Sequence, residues 1–130
     1  MSIAPGVAAN SATPAVQALL NRYFTAINTR NYTAYNSLLD AQLQASDTSS
    51  SFYSGYATTK DSAETLTSIA DTGAGDLAAT VSFTSHQNPA DSINNSSCTM
   101  WTITLYLVPQ GSSYVITAPP SSYHSTHLNC

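Results

Sequence analysis

Three kinds of side chain in this 130-residue sequence could do chemistry: seven carboxylates, three histidines and eight tyrosines. An acid–base enzyme acting on a small molecule needs a carboxylate or imidazole base. It also needs a donor for the developing oxyanion, and both must be held where burial tunes their pKa values. Asp61, Glu64, Asp71, Asp76 and Asp91 fall in turns or at strand ends, where a solvated carboxylate is expected. Asp40, which follows the second helix, is the acid best placed for a catalytic role, and His86 is the imidazole candidate. Parity puts His86 on a threonine-rich strand face, which is the setting of a surface histidine. His124 and His127 stand at i and i+3 but lack a third ligand at matching spacing, so no metal or other cofactor is expected. No Gly-x-Ser-x-Gly elbow supports a serine hydrolase.

The tyrosines offer a different chemistry. Tyr23, Tyr32, Tyr35, Tyr53 and Tyr56 lie on the early elements, and each joins an apolar body to a polar tip. Taken singly, each reads as a core aromatic with its hydroxyl satisfied at the rim. Together they outline a small polar-aromatic pocket, and they are the ligand-binding candidates.

These residues must be positioned by an early helical layer. Thr13-Pro14 reads as N-cap and first helical residue. Behind it Val16, Leu19, Leu20, Tyr23, Phe24 and Ile27 repeat at i, i+3, i+4, i+7, i+8 and i+11, one apolar stripe along about four turns. Asn31 caps a shorter helix carrying Tyr32, Tyr35, Leu38 and Leu39, and Phe52, Tyr53 and Tyr56 anchor a brief helix or turn. From Ala63 the texture becomes β. Strands are expected over 63–71, 77–87, 98–108 and 113–118, with a Gly-containing hairpin loop at 72–76. Leu77, Val81, Phe83, Trp101, Ile103, Leu105, Leu107 and Ile116 face the helices, with Trp101 as a core anchor against the first of them. Thr80, Ser82, Thr84, Thr102 and Thr104 face outward. Helices preceding a four-stranded, mainly antiparallel sheet make an α+β fold with the helices on one face. Residues 1–12 read as a flexible leader and 13–130 as one domain.

Composition narrows the partners. Only 8% of residues are charged, and the formal net charge is −4. Three basic side chains cannot neutralise a run of phosphates, so nucleic acid is excluded as a sequence-independent partner. No apolar run reaches the roughly 18 residues of a membrane span. The opening has neither a positive n-region nor an apolar h-region and reads as a mature chain whose signal segment lies outside it. Two cysteines, Cys98 and Cys130, in a charge-poor, Ser/Thr-rich chain read as one disulfide tying the tail to a strand. An extracellular or cell-envelope location is therefore expected.

The helix Val16-Gln-Ala-Leu-Leu-Asn-Arg-Tyr-Phe-Thr-Ala-Ile-Asn, the following Arg30-Asn-Tyr-Thr-Ala-Tyr-Asn-Ser-Leu-Leu and the long terminal hairpin with Trp101 carry a resemblance. The chain resembles the nuclear transport factor 2-like superfamily, whose fold is a cystatin-like α+β cone, from Thr13 to Cys130. Phe52-Tyr-Ser-Gly-Tyr, Val81-Ser-Phe-Thr-Ser-His-Gln and Cys98-Thr-Met-Trp look more narrowly like secreted or lipoprotein-type actinobacterial members. The resemblance implies helices laid across a curved sheet, and it implies no single activity. Three functions follow as expectations. The first is a non-catalytic binding or accessory domain for a small apolar or polar-aromatic ligand or a protein partner. The second is an isomerase, dehydratase or polyketide cyclase using Asp40, His86 or a pocket tyrosine. The third is a structural module that forms a homodimer through its sheet face.

Overall fold

The computed structural model describes all of residues 1–130. Four helices come first: α1 (Thr13–Asn28), α2 (Tyr32–Asn36), α3 (Ala41–Ser46) and α4 (Ser49–Gly55). The apolar stripe of α1 is buried as its spacing requires, with Val16, Leu19, Leu20, Tyr23, Phe24 and Ile27 all inside. Its start differs from expectation, because Ala12 is the cap residue and Thr13 lies in the first turn. The Thr13 hydroxyl donates to the Val7 carbonyl at 2.7 Å and so anchors the preceding loop instead of the helix end. Asn31 caps α2 as expected, accepting from the Ala34 amide at 3.0 Å.

The rest of the chain is an open, mainly antiparallel sheet. It is built from β2 (Lys60–Gly73), β3 (Asp76–His86), β4 (Cys98–Gln110) and β5 (Ser113–Thr117) in that order. Ala74 and Gly75 turn β2 into β3 with positive φ at both positions, as a two-residue type I′ connection requires. Alternation along β3 holds: Leu77, Ala79, Val81 and Ser85 point inward and are buried. Thr80 and Thr104, neighbours on the opposite face, share a hydroxyl–hydroxyl bond of 2.9 Å.

The sheet has six strands, not four. β1 (Ser2–Ile3) joins in parallel beside Thr65 and Leu66 of β2, and β6 (Thr126–Asn129) pairs antiparallel with the first half of β4. Both are too short to carry a periodic signal, and their pairing is fixed by tertiary contact. Residues 1–12, expected as a flexible leader, are docked: Val7 is buried, and the Ala4 amide donates to the Leu66 carbonyl at 3.0 Å. The tail is tied by a Cys98–Cys130 disulfide. The core lies between α1 and the inner sheet face, where Phe24 meets Phe83 at 4.9 Å between ring centroids. No helix is long and apolar enough to cross a membrane.

Candidate functional site

Between α1, α4 and the inner face of the sheet lies a half-open cavity of about 300 Å³, bordered on one side by the loop after β3. Tyr23 and Ile27 enter from α1, Tyr56 from the end of α4, Phe83 and Ser85 from β3, and Thr99, Trp101 and Ile103 from β4. Of its two carboxylates, Asp61 and Asp91, Asp61 is buried, only 4% exposed.

Asp61 reaches the interior through a distortion of β2. Leu66 and Asp61 are both buried although five residues separate them, an odd interval that would put them on opposite faces of a regular strand. One extra residue between Ser62 and Thr65, with Ala63 at φ +54°, restores both to the inner face. Such a bulge re-aims the side chains on either side of it. The Asp61 peptide is held from both directions by Asn28, the last residue of α1. The Asn28 amide donates to the Asp61 carbonyl at 2.9 Å, and the Asp61 N–H donates to Asn28 Oδ1 at 2.7 Å.

The carboxyl group so placed is poorly compensated. Its Oδ1 is buried and has no hydrogen-bond partner within the protein. Burial pushes its pKa up to about 6, the neighbouring Ser85 hydroxyl works against that rise, and Glu64 adds to it. Arg30 is the nearest opposing charge, but its guanidinium donates to the carbonyls of Asn28 and Ala57. A carboxyl raised from 3.8 to about 6 stabilises the fold fully below 3.8, and that contribution is lost as pH rises through about 6. At neutral pH the ionised group therefore costs on the order of 2–3 kcal/mol relative to an unperturbed one. Asp61→Asn is expected to raise the urea unfolding free energy by about 2 kcal/mol near pH 7.5. The gain should vanish near pH 4, and an unchanged pH dependence in the variant would rule out this account.

Three of the five candidate tyrosines form one cluster, of which Tyr23 and Tyr56 border this carboxyl. Tyr23, Tyr35 and Tyr56 face one another, with Tyr35 lying 5.6 Å from Tyr23 and 6.1 Å from Tyr56 between ring centroids. Burial is the largest cause raising each of their hydroxyl pKa values, so all three are neutral donors across the physiological range. Tyr23 also lines a second cavity of about 410 Å³, toward α3 and β5, where Asp47 Oδ2 is likewise buried without a partner. Tyr32 is outside the group: its hydroxyl donates to the Asp47 carbonyl at 3.1 Å. Tyr53 is 48% exposed.

The other sequence candidates have different work. Asp40 is the N-cap of α3, accepting from the Leu43 amide at 2.9 Å. Hydrogen bonding from Thr117 first, and then from Leu43, holds its carboxyl below the usual range. His86 is exposed at the end of β3, paired in register with Cys98. Trp101, expected against the first helix, is half-buried, lines the cavity and stacks on His127 at 4.8 Å. No group of three or more His, Cys, Asp or Glu is placed to hold a metal ion.

The residue that sequence reasoning missed is Asp61, because the turn-or-strand-end assignment left it solvated. No signal in the sequence marks Ala63 as a bulge, since alanine rarely takes a positive φ. No protein-family model matches the chain, and no curated protein or solved structure matches it either.

Proposed function

We propose that this chain is a secreted or cell-surface domain of the nuclear transport factor 2-like kind, which binds a small, largely apolar molecule in the Asp61 cavity without transforming it. The observation that carries the reading is the lining: seven hydrophobic residues, four of them aromatic, form walls around the buried Asp61 carboxyl, with as many polar residues beside them. Aromatic and aliphatic walls with placed polar groups are what small-molecule sites use, and about 300 Å³ is at the lower end of the volumes such sites have. The disulfide supports an oxidising compartment. The helices laid over the inner sheet face support the cone-like superfamily.

Trp101 is the only tryptophan in the chain and borders the cavity, so its fluorescence reads occupancy directly. Titration with a panel of small aromatic and alicyclic compounds should give a saturable shift, with a matching rise in Tm. A flat response across the panel, with unchanged Tm, would discard the reading.

One observation favours a second reading, acid–base catalysis: Asp61, titrating near 6, shares its cavity with tyrosyl donors. The same titration run in heavy water separates the two. A bound compound recovered unchanged and without deuterium supports binding alone, whereas isomerised, dehydrated or deuterated compound supports the enzyme.

A further inference from the structure

We propose that the cavity is selective for an organic cation, a protonated amine on an apolar body, whose charge is met by the Asp61 carboxylate. The inference deepens the ligand-binding reading and rests on it. Three observations point to the charge of the ligand. Asp61 is almost wholly buried, and Oδ1 finds no donor among the protein's own groups. Two carboxylates, Asp61 and Asp91, line the cavity, and no basic side chain does. The remaining walls include Tyr23, Tyr56, Phe83 and Trp101, whose ring faces attract cations.

A neutral donor such as an alcohol would hydrogen-bond the carboxylate and leave the buried charge uncompensated. An ammonium does both, because it brings the opposite charge into a poorly solvated site where the attraction between ions is stronger than in water. The shift of the Asp61 carboxyl sets the scale of the gain. A ligand that returned the Asp61 carboxyl from about 6 to its ordinary 3.8 would gain about two powers of ten in affinity, because each pKa unit is a factor of ten in the linked equilibrium. Arg30, Glu64, Asp91, Tyr23 and Tyr56 are the charged and titratable groups around Asp61, and Arg30 is the single cation among them.

The test is calorimetric titration of the intact, oxidised protein with 2-phenylethylamine and with its neutral isostere 2-phenylethanol. At about pH 7.5 the amine should bind at least tenfold more tightly than the alcohol. At about pH 5, where the free Asp61 carboxyl is mostly protonated and the amine still charged, the preference should shrink by about five- to tenfold. Asp61→Asn should abolish it at both pH values, and the pH arm on the wild type serves alone if that variant does not fold. Equal binding of amine and alcohol, an amine preference that survives in Asp61→Asn, or one as large at the lower pH as at the higher, overturns the cation inference and leaves the binding reading intact. No saturable binding of either compound overturns both.

Discussion

Replacing Phe52 by alanine is expected to destabilise the protein by about 3–5 kcal/mol, the usual range for truncating a fully enclosed aromatic. Phe52 is 2% exposed and is the only buried residue of the seven-residue helix α4. A helix that short does not persist on its own propensity, so its docking depends on this ring. The ring lies 4.8 Å from Tyr35, 5.3 Å from Tyr56, 5.4 Å from Tyr53 and 5.6 Å from Tyr32, and aromatic pairs of this kind add to simple area burial. The neighbours are poorly placed to fill the hole left by alanine, because Tyr35 also packs against Tyr23 at 5.6 Å and against Tyr56 at 6.1 Å between ring centroids. Urea unfolding measures the loss directly. Tyr53→Ala, on the same helix but half-exposed, should cost less than about 1 kcal/mol. Equal costs for the two would show that α4 is held by something other than Phe52. Because Tyr56 both touches Phe52 and lines the Asp61 cavity, Phe52→Ala should also weaken ligand binding at temperatures where the protein remains folded.

This aromatic cluster was legible in part. The tyrosines could be placed near one another from the periodicity of α1 and α2, because a 3.6-residue repeat fixes a face without knowledge of what covers it. The strand alternation of β3 was legible for the same reason. What could not be read is whatever depends on a single backbone irregularity or on a partner distant in sequence. Asp61 reads as a solvated carboxylate until the bulge at Ala63 shifts the parity of β2 and brings it inside with Leu66. Asp40 reads as a possible base because it follows a helix, but the same position suits the N-cap of the next one, α3, which the sequence reading lacks. Parity assigns Trp101 to the core. Parity gives the face of a strand and not how fully a side chain is covered there: Trp101 faces the cavity it shares with Tyr23 and Ile27, but it is half-buried and lies beside His127 of β6. β6 has no apolar pattern of its own, as all four of its residues are exposed. Only the terminal cysteine hinted that the tail was fixed.

Removing the Cys98–Cys130 disulfide, by a Cys98→Ser/Cys130→Ser double variant or by reduction, is expected to cost about 3–4 kcal/mol. That figure follows from the loop-closure entropy of a 32-residue separation. Two opposing effects decide where in that range the result falls. Freed from its anchor, β6 gives up four ladder positions opposite Thr99–Thr102, the His127 stack on Trp101 and the bond from the Thr104 amide to the Tyr123 hydroxyl. Hydrogen bonds contribute about 1 kcal/mol each, while ordering each exposed residue costs about 1–2 kcal/mol of backbone entropy. Entropy wins, so the tail should detach locally while α1 and the inner sheet stay folded, and the freedom it gains offsets part of the lost cross-link. Hydrogen exchange should therefore show the amides of Thr126–Asn129 losing protection on reduction while those of Val81 and Leu107 keep it. The bared first half of β4 then becomes an open edge, which invites pairing between chains, and light scattering should rise with protein concentration only in the reduced form. If the tail amides stay protected after reduction, the strap is held by its own contacts and the disulfide acts on the unfolded chain alone.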